Sequence, residues 1–175
     1  MPPEFQTGGS SRLYRRPDRR LLRSSNRSVM SQANLSPITV SGKFDKMGES
    51  LKALRDFAVQ AAERAGLPKN RVEALKMAVD EYATNIITYG YHDAGLDGDI
   101  FADADLSDEY LIFSMTDTAA AYNPTLRPNP TNLEDPLEER GIGGYGIMLV
   151  RESVDEWRYE RQGNRNCNHF VLKRQ

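Results

Sequence analysis

From Lys46 to Ala65 the apolar positions Met47, Leu51, Leu54, Ala58, Ala61 and Ala65 recur three or four residues apart. That spacing aligns side chains on one face of an α-helix. Asp45 stands where a capping residue is expected, and Gly66-Leu-Pro68 stops the run. Leu75, Val79, Tyr82 and Ile86 form a second stripe, predicting a helix with Pro68 in its first turn and its end near Gly90. Short strands are predicted where apolar and polar residues alternate. Pro37 to Ser41 reads as one, ended by Gly42; Asp99 to Leu106 and Glu109 to Asp117 read as a hairpin turning at Ser107-Asp108. Ile147 to Ser153 predicts a short helix, and Glu156 to Arg161 with Asn166 to Lys173 a terminal hairpin turning at Gln162-Gly-Asn164. The order of strand, two helices, two strands, loop, helix and two strands predicts an α+β sandwich. Its helices cover one face of a mixed, mostly antiparallel sheet.

The segment 118–140 breaks the pattern, with prolines at 124, 128, 130 and 136. A loop of that length inside a compact domain is usually functional, for example a lid. At 175 residues and 39% hydrophobic content the chain supports one sizeable core. Residues 1–35 read as a disordered basic extension and 36–175 as the folded domain; Met30 is an alternative start. The net charge of -2 is unevenly spread, since residues 1–29 hold seven arginines against Glu4 and Asp18. The body is therefore acidic, which argues against nucleic acid as its main partner. Apolar runs such as Tyr110 to Phe113 and Ile147 to Val150 are far too short to cross a membrane, and the arginine-rich start lacks the apolar segment of a secretory signal. The expected location is the cytoplasm. Cys167, His92 and His169 are too few for a Cys/His zinc cluster, so any metal is expected on oxygen ligands.

Glu81 and Asn85 lie four positions apart, so on a helix both side chains project together beside the apolar stripe. A carboxylate and an amide oxygen so placed can polarise a hydroxyl and hold a hard divalent ion. Taken alone, the pair also fits an ordinary solvated helix face. Gly141-Ile-Gly-Gly-Tyr-Gly146 packs four glycines into six residues before a helical run, as a backbone approached closely by phosphate requires. A flexible hinge is the bland alternative. Gly141, Gly143 and Gly146 satisfy G-x-G-x-x-G, but neither the βαβ context of a dinucleotide fold nor the Gly-Lys-Ser/Thr of a P-loop is present. Asp117 ends a strand and enters the long loop, where a carboxylate can meet a ligand or simply begin a turn.

In this order and spacing, Ala78 to Tyr91, Asp117 and Gly141 to Asp155, with Tyr159 to Asn166 closing, resemble the Bergerat-type ATP-binding sandwich of the GHKL family. That family contains gyrase, heat-shock chaperones, histidine kinases and MutL. The resemblance covers roughly Ile38 to Arg174 and points to the branch of anti-sigma-factor serine/threonine kinases. It implies ATP and Mg²⁺ as cofactors, Glu81 as the base that activates an acceptor serine, and Asn85 as the Mg²⁺ ligand. It further implies that Asp117 accepts from the adenine amino group, that Gly144 and Gly146 face the phosphates, and that Gly141, Gly143 and Tyr145 also belong to the nucleotide-binding set. The implied partners are an anti-anti-sigma (STAS-domain) protein that receives the γ-phosphate, a sigma factor, and a second copy of the chain. At one position the chain departs from the branch: Ala119 stands where glycine is usual, expected to strain the turn or crowd the pocket by about 1 to 3 kcal/mol. A non-catalytic switch module that sequesters its partner is the alternative. The ATPase half of a histidine kinase is disfavoured, because His92 and His169 both lie within the domain.

Overall fold

A computed structural model of the chain describes residues 35–130 and 145–174. Strand β1 (Ile38–Ser41) leads through a 3-10 turn, Phe44–Lys46, into helix α1 (Met47–Arg64), and helix α2 (Lys69–Asn85) follows. Asp45 does not cap α1. It sits inside the 3-10 turn, Lys46 occupies the cap position, and no side chain bonds there. Pro68 likewise stands just outside α2, where its carbonyl accepts from Arg71 and Val72 at 2.8 and 3.1 Å.

The regular helix expected to run to Gly90 stops at Asn85, and Ile86–His92 continues as a π-helical turn. Pairing over five residues is visible at its end, where Asp93 N donates to Thr88 O at 2.8 Å. The wide turn buries Tyr91 while leaving Tyr89 56% exposed.

Strands β2 (Asp99–Leu106) and β3 (Tyr110–Asp117), helix α3 (Tyr145–Ser153), and strands β4 (Glu156–Gln162) and β5 (Arg165–Lys173) complete the described fold. The five strands lie in the order β1-β2-β3-β5-β4. All pairings among the described residues are antiparallel, so the parallel component implied by a mixed sheet does not occur there. The β4–β5 turn has Gly163 at φ 60°, a conformation that glycine adopts without strain.

Register explains why the helices share one face. Phe113 pairs with Phe170, and Phe170 with Trp157, so all three project together. Phe57 of α1 meets Phe113, and Tyr82 of α2 meets both Trp157 and Phe170 at ring separations of 5.3 to 5.9 Å. Ile100, Leu111, Met115 and Leu172 are fully buried on the same face. Leu35, the first described residue, already belongs to this core. The other face bears a polar ladder in which Ser114 Oγ lies 2.8 Å from His169 Nδ1, and His169 Nε2 lies 3.2 Å from Glu160. Among the described residues no helix is long and apolar enough to cross a membrane.

Candidate nucleotide site

The stripe that buries Val79, Tyr82 and Ile86 leaves Glu81 and Asn85 half-buried at the flank of α2. They face the start of α3. A Cβ built on Gly146, the second residue of α3, would lie 2.7 Å from Glu81 Oε2 and 3.7 Å from Asn85 Nδ2. The carboxylate thus occupies the space that any other residue at 146 would need. Helix α3 begins two residues before the expected Ile147, which makes Gly146 part of its first turn, where backbone amides lack intrahelical partners. Tyr145 is the first residue of that turn. Gly141, Gly143 and Gly144 lie outside the described residues, as does the part of the expected lid from 131 to 140.

Asp117 is the last residue of β3 and is 1% exposed. Its Oδ1 accepts from Asn166 Nδ2 at 2.8 Å and from the Ala119 amide at 3.0 Å. Burial pushes its pKa above the usual carboxylate value, while the bonds from Asn166 and Ala119 and the charge of Arg161 oppose the rise. Tyr82, one residue from Glu81, is raised well above an ordinary phenol, first by burial and then by the nearby Asp117 charge. The aspartate therefore lies close enough to α2 to be felt by it electrostatically.

The turn after Asp117 is fastened to the π-helical segment. Tyr91 hydroxyl donates to Asp99 O at 3.0 Å and accepts from the Thr118 amide at 2.9 Å. Ala119 is buried, and a Cβ on Gly90 would stand 3.1 Å from its methyl group. The alanine expected to crowd the pocket is thus accommodated over a residue without a side chain.

Asn166 received no role from the sequence pattern, yet it is the most connected side chain of the site. Its Nδ2 donates to Asp117 Oδ1, to Ala120 O at 3.0 Å and to Ala119 O at 3.4 Å. Its Oδ1 accepts from Arg161 at 2.8 Å, Tyr159 hydroxyl at 3.0 Å and the Tyr122 amide at 3.2 Å. Next inward, Asn168 donates to Tyr82 hydroxyl at 2.6 Å and accepts from Trp157 at 3.0 Å. A signal for both was present: Asn166 and Asn168 alternate with Phe170 and Leu172, so two amides fill inward positions of a strand.

Arg151 of α3 donates to Arg127 O at 2.8 Å and to Asn129, holding the proline-rich loop against that helix. No group of three or more His, Cys, Asp or Glu suited to a metal exists among the described residues. Glu81 and Asn85 supply oxygen donors, a set that fits an ion completing its shell from phosphate and water, as Mg²⁺ does. A groove of about 600 Å³ between β1 and α1, lined by Ile38, Val40, Phe57 and Arg64, contains none of the expected site residues.

Helices on one face of an antiparallel sheet, with the end of α2 turned toward the start of α3, define the α+β sandwich of the GHKL class. The family model of the histidine kinase-like ATPase domain matches residues 45–172, and the chain belongs to that family. It is similar to the serine-protein kinase RsbW of Oceanobacillus iheyensis, with 25% identity over 104 residues, covering 58% of this chain and 65% of that protein. The serine-protein kinase RsbW of Listeria innocua is 26% identical over 98 residues, covering 54% of this chain and 62% of that one. The chain thus spans a little under two thirds of the relatives it matches. Among solved structures, the RsbU and RsbW domains of Rv1364c from Mycobacterium tuberculosis align at 16% identity with a TM-score of 0.48, covering 79% of this chain and 32% of that chain. The histidine kinase domain of the blue-light activated histidine kinase from Erythrobacter litoralis EL346 aligns at 16% identity and a TM-score of 0.46, covering 73% and 61%.

Proposed function

We propose that this chain is an ATP-dependent serine kinase of the anti-sigma-factor type, which phosphorylates a serine on a STAS-domain anti-anti-sigma protein and so controls the availability of a sigma factor. The observation that carries this reading is the Glu81 carboxylate lying, beside Asn85, in the space that a side chain at Gly146 would take. It puts a carboxylate base, with the Asn85 amide beside it, next to a helix start whose amides and dipole favour phosphate. Asp117, acceptor-only when ionised, suits an exocyclic amino group such as that of adenine.

In the reaction, the serine hydroxyl attacks the γ-phosphorus and gives its proton to Glu81. The new Oγ–P bond forms as the bond to the bridging oxygen breaks, and ADP leaves with that electron pair. Asn85, with Glu81 near it, would hold Mg²⁺, which when bound neutralises phosphate charge. Such transfer depends mostly on positioning and charge stabilisation, so few protein groups suffice. The kinship with serine-protein kinases supports the same activity.

The test is transfer of labelled γ-phosphate to a STAS-domain protein, comparing the natural chain with Glu81→Ala. The variant should bind Mg-ATP but lose transfer by about a hundredfold or more; equal labelling would remove Glu81 from the role of base. A second reading, a switch module that captures its partner without transfer, is motivated by the acidic body of the chain. It requires capture of the partner by the natural chain in the absence of ATP, with no phosphoserine formed when ATP is added.

A further inference from the structure

We propose that Asn166 is the positioning residue of the base subsite: its amide aims the Asp117 carboxylate and fixes the rim at residues 119–122, so that a nucleobase bearing an exocyclic amino group is selected over one bearing an exocyclic oxygen. This rests on the nucleotide reading above and deepens it. The geometry is specific. Among the described residues the bonds to the Asp117 carboxylate fall on Oδ1, from Asn166 Nδ2 at 2.8 Å and from the Ala119 amide at 3.0 Å, an arrangement in which Oδ2 is the acceptor for a ligand donor. The same Nδ2 reaches Ala119 O and Ala120 O, while Oδ1 holds the Tyr122 amide on the far side of the turn. One side chain from β5 therefore sets both the acceptor and the backbone around it.

The amide cannot be reversed. With its oxygen turned toward Asp117, two acceptors would meet at 2.8 Å, and the donors from Arg161, Tyr159 and Tyr122 would face an NH₂ group. Asn166 is 3% exposed, so water cannot take over these bonds without entering the core. The charge of Asp117 depends on it as well. Burial raises that carboxyl, and the Asn166 bond is the first of the effects that oppose the rise. Among the described residues, Arg161 of β4 acts on its charge, Tyr82 of α2, Tyr91 of the π-helical turn and Cys167 of β5 feel that charge, Tyr159 of β4 is bonded to Asn166, and Tyr122 acts on Tyr82.

Two variants isolate the role. Asn166→Asp keeps the shape and the three accepted bonds but places a carboxylate against a carboxylate; Asn166→Ala removes everything. Two readouts apply: Mg-ATP and Mg-GTP affinity by calorimetry between pH 5 and 8, and the Asp117 carboxyl titration by NMR in protein free of nucleotide. The natural chain should prefer ATP and lose affinity as pH falls through the Asp117 midpoint. Asn166→Ala should weaken ATP binding by roughly tenfold, narrow the preference over GTP, and move the carboxyl midpoint upward. Asn166→Asp should show the reverse trend, recovering affinity as pH falls and the carboxyl pair takes up one shared proton that restores a donor. A merely structural asparagine would lower the melting temperature of both variants while leaving the Asp117 midpoint and the ATP to GTP ratio unchanged, and that result overturns the proposal. If the natural chain binds neither nucleotide, the kinase reading fails, but the titration of Asp117 in the variants still decides what Asn166 does.

Discussion

Gly146 has no side chain, and its missing methyl group is the space in which the Glu81 carboxylate rests. Alanine favours a helix over glycine by up to about 1 kcal/mol, so Gly146→Ala should not unfold α3. The atom in its way is the end of a flexible side chain, which would swing aside. The expected outcome is an unchanged or slightly higher melting temperature, with γ-phosphate transfer reduced at least tenfold, on the order of 1.4 kcal/mol in the barrier. Loss of both together would mean that the contact serves folding. Asp117 makes the opposite trade visible. Its folded pKa is raised, so it favours the native state most at low pH, where it is protonated, and that advantage is lost as pH rises through its folded midpoint. Asp117→Asn should therefore raise the melting temperature by a few degrees at pH 7.5, with the gain vanishing under acid conditions, while abolishing nucleotide binding. A variant less stable at neutral pH would show that the charge is stabilised after all. These residues differed in legibility. Glu81, Asn85 and Gly146 stood in one recognisable order along the chain, and the structure brings them together. The alternation of Asn166 with Phe170 and Leu172 marks an inward amide, but its pairing with Asp117, 49 positions away, leaves no mark on local periodicity.

The elements that hold the site were legible wherever one face is buried. The alternation of Leu111, Phe113 and Met115 marked β3, and β2 runs over the very residues its alternation predicted, because a register slip would turn the apolar set to solvent. The π-helical turn was not legible. Ile86 and Ile87 continue the apolar content of α2, and nothing in Thr88-Tyr-Gly-Tyr91 distinguishes a five-residue hydrogen-bond step from a four-residue one. Asp45 misled for a related reason: a capping residue is recognised by position, and a 3-10 turn displaced the helix start. The turn is held by Tyr91 hydroxyl, which reaches Asp99 O, the Thr118 amide and, at 3.2 Å, Thr118 Oγ1. Tyr91→Phe deletes these bonds at almost constant volume. Urea denaturation should show a loss of about 1 to 2 kcal/mol, and amide exchange at Thr118 should quicken beyond the global change. Uniform quickening across the chain would mean that the hydroxyl serves general stability instead of fastening this turn.

At the scale of the molecule, α1, α2 and one sheet face share a continuous core that begins at Leu35 and ends with Leu172. A core of that kind should melt in a single transition by heat, with coincident loss of Trp157 fluorescence and helical circular dichroism. Because the proposed pocket lies between parts of this one unit, Mg-ATP at a hundred times its dissociation constant should add about 2.7 kcal/mol and raise the transition accordingly. A melting point indifferent to millimolar Mg-ATP would argue against the pocket. The same unity appears where β1, β2 and the end of the π-helical turn meet. A Cβ at either Gly42 or Gly98 would fall 2.5 Å from the Tyr91 ring. The ring fills the volume that two side chains would otherwise share, so the three positions behave as a lock whose parts cannot be exchanged singly. A smaller residue at 91 leaves a void, and a larger one at 42 or 98 has nowhere to go. As such chains diverge, these positions should drift as a set, bulk lost at one being regained at another, and that concerted history would be the signature of the joint beside the proposed nucleotide pocket.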